Sequence, residues 1–142
     1  MIMSHRKINL KHSKSWQRGF TLIELLIVMS VIGILASIVV PNYQRHLIRA
    51  REAVLMEDLY QMRRAIDAHF ADNISYPESL DDLVAKKYIR DIPRDPFTKS
   101  TSTWEEIPPT PSIEGELAEG GVENVHSGSD LVGLNGIPYR DW

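Results

Sequence analysis

The sequence contains no cysteine. This absence excludes a disulfide framework, a thiolate metal site and a cysteine nucleophile. The five histidines show no metal-binding spacing such as H-x-x-x-H, and neither a Ser/His/Asp arrangement nor a glycine-rich phosphate loop is present. We therefore predict that the protein is not an enzyme.

The first 19 residues lack acidic side chains, and acidic residues outnumber basic residues in the rest of the chain. Residues 1–19 contain five basic residues and no acidic residue, whereas residues 20–142 contain 11 basic and 19 acidic residues, a net charge of −8. Contacts to phosphate groups need clustered Lys and Arg side chains. The acidic body of the chain therefore argues against nucleic acid as a partner.

No charged residue lies between Glu24 and Arg45. The apolar run at residues 20–40 reaches the roughly 20 residues needed to span the hydrocarbon core of a bilayer. The basic flank before it predicts a cytoplasmic N-terminus, with the C-terminal body on the other side of the membrane. A cleaved secretory signal is disfavoured, because such signals have apolar stretches of about 7–15 residues and no acid at their start. A plain single-pass anchor accounts for the run but not for Glu24.

The residues RGFTLIEL at positions 18–25 resemble the class III signal of type IV pilins and pseudopilins. The resemblance implies that a prepilin peptidase cuts between Gly19 and Phe20 on the cytoplasmic side and methylates the new N-terminal Phe20. Glu24 and Pro41 become the fifth and the twenty-second residue of the mature chain, both typical positions of this family. The resemblance makes them candidate assembly residues.

Glu24 has a physical role in this reading. A carboxylate inside a membrane needs a partner, because a lone charge in a low dielectric is heavily penalised. In the family the partner is the amine of Phe20 in a neighbouring subunit, so that the penalty disappears only when a subunit docks in register. The alternative is an acid that extends to the membrane interface without a partner.

Residues 42–72 contain neither glycine nor proline, which favours a helix that continues beyond the membrane segment. Pro41 is expected to kink or loosen this helix locally. Apolar residues recur at helical spacing and predict an amphipathic helix with a buried stripe. The stripe consists of Ile48, Leu55, Leu59, Met62, Ile66 and Phe70.

Residues 73–142 have the mixed pattern of a small globular domain. Ser79, with Asp82 three residues later, predicts the cap of a short helix. Residues 92–97, IPRDPF, resemble the proline-rich segment that enters the β-sheet of the major pseudopilin of type II secretion. The glutamates of residues 98–123 are interpreted as a solvated loop rather than a metal site. Candidate strand positions are Trp104, Ile107, Val122 and Val125.

Turn residues and large aromatic side chains dominate the tail. Asn135-Gly136 is a good hairpin turn, and Tyr139 and Trp142 are expected to close the small core. The tail resembles the C-terminal loop of the major pseudopilin, which in many members binds calcium through oxygen ligands. The alternative is a turn held by hydrogen bonds from side chains to the backbone. The candidate calcium ligands are Ser127, Asp130, Asn135 and Asp141.

Together these features predict an α+β fold in which a long N-terminal α-helix, transmembrane in its first half, packs on a small antiparallel β-sheet with a C-terminal loop. The predicted parts are a cleaved basic leader (1–19), the transmembrane half of the helix (20–41), its amphipathic periplasmic half (42–72) and a globular domain (73–142). The expected location is the bacterial inner membrane, with a periplasmic filament after assembly.

The resemblance implies a structural subunit of the periplasmic pseudopilus of a type II secretion system, which polymerises to drive the export of folded proteins. Its partners would be further copies of itself, the prepilin peptidase, the minor pseudopilins, the inner-membrane assembly platform and, before assembly, membrane lipid. The alternative is a type IV pilin of a surface filament for adhesion, motility or DNA uptake. A solitary membrane-anchored binding module is a third reading.

Overall fold

The computed structural model describes residues 18–142. Of the five basic residues of the predicted leader, four lie outside the described residues and Arg18 lies within them. The described chain contains α1 (Leu22–Asn73), α2 (Leu80–Ala85), β1 (Glu105–Ile107), β2 (Asn124–His126) and a 3-10 helix (Tyr139–Asp141). The chain divides into two compact units, with the boundary between Val40 and Pro41. This is the α+β, pilin-like fold that the sequence predicts.

The first unit contains the start of α1, which is capped by Thr21. The backbone N–H of Glu24 donates to the Thr21 hydroxyl (3.2 Å), and the N–H of Leu25 donates to the Thr21 carbonyl (3.1 Å). The negative charge of Glu24 in the first turn is favourable at the positive end of the helix dipole. Residues 22–40 are all exposed. The helix is long and apolar enough to cross a membrane.

Pro41 lies inside α1, and the helix is continuous from Leu22 to Asn73. The proline removes one backbone donor, but it does not end the helix. The helix ends where Ile74 adopts a left-handed conformation (φ 57°) and its N–H donates to the carbonyl of Phe70 (2.8 Å). The kink expected at Pro41 stays a prediction.

The core of the second unit lies against one face of α1. Leu55, Leu59, Met62 and Ile66 are buried as predicted. The two ends of the predicted stripe, at residues 48 and 70, are only partly buried. Burial of one such aliphatic side chain stabilises the fold by about 1.5–3 kcal/mol. From the other side the core is closed by Leu80, Leu83, Trp104, Val122, Val125 and Tyr139.

Short elements cover this core. Ser79 caps α2 as predicted, because its hydroxyl accepts the N–H of Asp82 (3.3 Å). β1 and β2 pair in antiparallel fashion, with Glu106 opposite Val125. Residues 92–97 were expected to enter the sheet, but they lie outside both strands. Their two prolines lack the N–H that a strand would contribute to its neighbour.

The tail folds back on itself as the turn residues predict. Val132 and Pro138 form an antiparallel bridge around Asn135-Gly136, and Gly136 has the positive φ (81°) that the turn requires. Beyond the turn, the ring of Tyr139 stacks on that of Phe97, with centroids 3.9 Å apart. Trp142 packs edge-on against Tyr139 at 5.0 Å. The predicted closure of the core by Tyr139 and Trp142 is confirmed.

Candidate processing and assembly site

The peptide bond between Gly19 and Phe20 precedes the first turn of α1. Both residues are exposed, and 87% of the Phe20 surface is accessible. A Cβ atom added to Gly19 would meet no atom within 4 Å. The helix begins only at Leu22, so residues 19 and 20 form a short open segment.

Glu24 lies one turn into the helix, close to this segment. Its side chain is exposed, and among residues 18–142 no basic group lies within 4.0 Å of its carboxylate. The described chain therefore leaves the charge available to a group outside it. Thr21 also belongs to the site, because its hydroxyl caps the helix. The T-x-x-E spacing of a capping box could have identified Thr21 from the sequence.

Pro41, the other candidate assembly residue, is exposed and lies inside α1. Sixteen uncharged residues separate it from Glu24 in the sequence. Its predicted role in assembly stays a prediction.

A buried carboxylate fixes the tail to α1. Glu52 is only 9% exposed, and its Oε1 accepts hydrogen bonds from the N–H of Leu134 (2.7 Å) and the hydroxyl of Tyr139 (3.0 Å). Burial, together with the hydrogen bond to Glu52, raises the pKa of Tyr139 to about 12. The predicted apolar stripe does not include Glu52, although Glu52 lies between Ile48 and Leu55 on the same face of the helix. That spacing was the available signal.

Arg63, about three turns after Glu52 on α1, connects the helix to β2 and to the end of the tail. Its Nε donates to Oδ1 of Asn124 (2.8 Å), and its Nη2 donates to the main-chain oxygens of Val125 (2.9 Å) and Trp142 (2.5 Å). Burial lowers the pKa of Arg63 from its ordinary value. A planar guanidinium suits several fixed acceptors at once, so this side chain ties β2 and the tail to the helix.

Asp95 closes the proline-rich segment from inside. It is fully buried, and its Oδ1 accepts the N–H groups of Phe97 (2.8 Å) and Thr98 (3.2 Å). Its Oδ2 accepts the hydroxyl of Ser127. The carboxylate turns the chain after Pro96 and connects this turn to the residue that follows β2.

The four candidate calcium ligands lie in the tail, where protein groups engage three of them. Ser127 is buried and donates to Asp95. The Asp130 carboxylate forms an ion pair with Arg140, and Oδ1 of Asn135 accepts the N–H of Ile137 (3.0 Å). Asp141 is exposed in the 3-10 helix.

These contacts do not make a ready-made cation site. Within residues 18–142, no three Asp, Glu or His side chains come together as a group that could hold a metal ion. Bound calcium would have to displace Arg140 from Asp130 and draw in ligands that already bind the backbone. Calcium binding stays a prediction.

Comparison with known proteins supports the N-terminal motif independently. A family model described as the prokaryotic N-terminal methylation motif matches residues 17–40. The type IV major fimbrial protein FimA of Dichelobacter nodosus is 49% identical over 59 residues, or 42% of this chain. That alignment covers only 38% of the fimbrial protein, so the chain spans little more than a third of this relative's length.

Longer alignments connect the chain to secretion proteins. The type II secretion system core protein G of Klebsiella pneumoniae is 30% identical over 133 residues, covering 82% of this chain and 93% of that protein. The core protein G of Aeromonas hydrophila is 35% identical over 100 residues, covering 59% of this chain and 70% of that protein. No solved structure gave a significant match. The chain thus belongs to the family of the type II secretion system core protein G, the major pseudopilins.

Proposed function

We propose that this protein is a structural subunit of the periplasmic pseudopilus of a type II secretion system, and that its polymerisation drives the export of folded proteins. The observation that carries the proposal is the alignment with a core protein G over 93% of that protein's length. The apolar helix and the methylation motif indicate a membrane-anchored subunit. The relatives are named as secretion and fimbrial subunits, and a non-catalytic role fits these descriptions.

Processing is the first step of the proposed function. A prepilin peptidase cuts between Gly19 and Phe20, and the new amine of Phe20 is methylated. The exposure of both residues and their position ahead of the capped helix support this step. The five basic residues before the cut hold the N-terminus in the cytoplasm, and the C-terminal domain faces the periplasm.

Assembly is the second step. Glu24 of an incoming subunit pairs with the amine of Phe20 in a neighbouring copy. A helix with uncharged side chains from residue 25 to residue 44 can pack against others of its kind. Minor pseudopilins and the inner-membrane assembly platform complete the partners of this homopolymer. Membrane lipid surrounds the apolar helix before assembly.

Coexpression with a prepilin peptidase tests the proposal. The mass of the chain should fall by that of residues 1–19, with Phe20 as the first residue. A Gly19→Leu variant should stay uncut, whereas a Thr21→Ala variant should still be cut, because Thr21 caps the helix and does not form the scissile bond. An unprocessed wild-type chain would contradict the family function at its first step.

The second candidate function is a type IV pilin of a surface filament, which the similarity to FimA favours. That similarity covers 42% of the chain, against 82% for the core protein G of Klebsiella pneumoniae. The two functions differ in the phenotype of a deletion strain. A pseudopilin deletion leaves exported proteins in the periplasm, whereas a pilin deletion removes surface filaments and leaves secretion intact.

A further inference from the structure

Three arginines follow the apolar segment of α1 at short intervals. Arg45, Arg49 and Arg51 are all exposed, and we name them the arginine collar. No acidic residue occurs between Glu24 and Glu52. Glu52 itself is buried and binds Leu134 and Tyr139. The collar therefore carries three positive charges without an acidic neighbour in its own stretch of helix.

The described structure provides no counter-charge from elsewhere. Among residues 18–142, no carboxylate lies within 4.0 Å of any guanidinium of the collar. Arg45 and Arg49 are four residues apart on one face of the helix, where like charges destabilise each other. An anion placed between them would remove this repulsion. An external anionic partner is thus favourable for the collar.

The position of the collar along the helix suits the surface of a membrane. With a rise of about 1.5 Å per residue, an α-helix reaches Arg45, Arg49 and Arg51 about 7.5, 13.5 and 16.5 Å after residue 40. Side chains of an α-helix lean toward its N-terminus, so these arginines reach back toward the apolar segment. Tyr43 is 63% exposed just before them, and Tyr is typical of membrane–water interfaces.

The rest of the chain makes this positive charge unusual. Residues 52–142 contain 8 basic and 18 acidic residues, a net charge of −10. An anionic membrane surface repels such a domain, whereas it attracts basic residues close to the membrane. The collar thus places three positive charges next to the apolar segment of a chain that is otherwise acidic after it.

We propose that Arg45, Arg49 and Arg51 bind the phosphates of anionic phospholipids at the surface from which the C-terminal domain emerges. This interaction holds the unassembled subunit upright in the membrane while its acidic domain stays in water. The proposal rests on the membrane anchoring in the proposed function. It adds a class of lipid and the residues that select it.

The preference for anionic lipid can be measured on the full chain. Unprocessed protein is reconstituted into phosphatidylcholine vesicles that contain spin-labelled phosphatidylglycerol or spin-labelled phosphatidylcholine. The immobilised fraction of each label reports its association with the protein. We expect the wild-type chain to prefer phosphatidylglycerol by about threefold or more in 0.1 M salt. The preference should shrink in 1 M salt, where charges are screened beyond about 3 Å.

Two triple variants isolate the collar. Arg45→Gln, Arg49→Gln and Arg51→Gln together should reduce the preference markedly. The matched control removes three exposed basic residues farther along the chain instead, Arg64→Gln, Lys87→Gln and Arg90→Gln, and should keep the wild-type preference. The basic leader is the same in both variants, so any contribution from the leader cancels. Circular dichroism should show equal helix content in all three proteins.

A collar variant that keeps the full preference would overturn the proposal. If that variant keeps the preference but fails to form filaments, the collar binds an acidic surface of another subunit rather than lipid. A wild-type chain that does not partition into vesicles would instead contradict the membrane anchoring itself. The two failures are therefore distinguishable.

Discussion

The hydroxyl of Tyr139 donates a hydrogen bond of 3.0 Å to Oε1 of Glu52, across 87 positions of sequence. Both side chains are buried, and the same carboxylate oxygen also accepts the N–H of Leu134. One acidic residue on the long helix thus fixes the position of both the turn and the aromatic side chain of the tail.

Removal of this carboxylate should loosen the tail. We expect Glu52→Ala to lower the free energy of unfolding by about 2–3 kcal/mol, because the buried hydroxyl of Tyr139 and the N–H of Leu134 lose their acceptor. The measurement is urea unfolding of the full chain in detergent, followed by tryptophan fluorescence. Glu57→Ala is the control, since Glu57 is exposed and accepts only from Gln61, and it should change stability by less than about 0.5 kcal/mol. Equal effects of both substitutions would contradict the role of Glu52.

Tyr139 should make the domain sensitive to alkali. Its pKa is about 12 in the folded chain, raised from the ordinary 10.0 by burial and by the hydrogen bond to Glu52. Between these two values the folded state keeps a proton that the unfolded state has lost, so stability falls as the pH rises from 10 to 12. Below pH 10 the stabilisation is complete. Tyr139→Phe should reduce this slope in unfolding measurements at pH 9, 10, 11 and 12, and an unchanged slope would contradict the assignment.

Asp95 and Ser127 should depend on each other energetically. Asp95→Ala leaves the N–H groups of Phe97 and Thr98 without an acceptor and should cost about 3 kcal/mol. Ser127→Ala removes one hydrogen bond and should cost about 1 kcal/mol. The double variant should be less destabilised than the sum, as a double-mutant cycle in urea would show. Asp91→Ala, an exposed acid in the same segment, is the control; strict additivity would show that the two side chains are uncoupled.

Glu24 should matter for assembly and not for insertion. Glu24→Ala should leave the chain in the membrane fraction but reduce filament formation, observed by electron microscopy of filaments released from the periplasm. Glu24→Asp keeps the charge and should assemble better than the alanine variant. Thr21→Ala removes the helix cap, at a cost of about 0.5–2 kcal/mol, but keeps the carboxylate. An equal loss of filaments in Thr21→Ala and Glu24→Ala would mean that the helix start, rather than the charge, is required.

Calcium should stabilise the domain if the tail binds it. A ligand that binds only the folded state stabilises it by mass action and so raises the thermal midpoint. At a ligand concentration one hundred times the dissociation constant, the stabilisation is about 2.7 kcal/mol. Calcium must compete with Arg140 for Asp130, so Arg140→Gln should enlarge the shift and Asp130→Asn should abolish it. Differential scanning fluorimetry of the full chain in detergent, with magnesium as the control ion, measures these shifts. No shift at millimolar calcium would remove the metal from this protein.

Local sequence patterns predicted much of the fold. The uncharged run, the absence of glycine and proline from residue 42 to residue 72 and the helical spacing of Leu55, Leu59 and Met62 gave the long helix and its buried face. Ser79 and the Asn135-Gly136 turn were also found from short-range chemistry. Each of these features is a pattern along one continuous stretch of the chain, which the sequence reports directly.

Long-range contacts were not predictable in the same way. Glu52 is not part of the predicted apolar stripe, and its partners Leu134 and Tyr139 lie 82 and 87 positions away. The acceptors of Arg63 lie 61 to 79 positions away. Asp95 folds the proline-rich segment into a turn through local contacts with Phe97 and Thr98, but its third partner, Ser127, is 32 positions away. Nothing near Glu52, Arg63 or Asp95 in the sequence identifies these distant partners.

The sequence by itself determined the apolar helix and the charge of Glu24 near its start, because length, hydropathy and helix propensity are properties of neighbouring residues. Only the tertiary structure decided which polar residues are buried. Glu52, Arg63 and Asp95 can leave water because distant parts of the chain supply the hydrogen bonds that offset their desolvation. These three side chains therefore add long-range hydrogen bonds to the contacts of the apolar core.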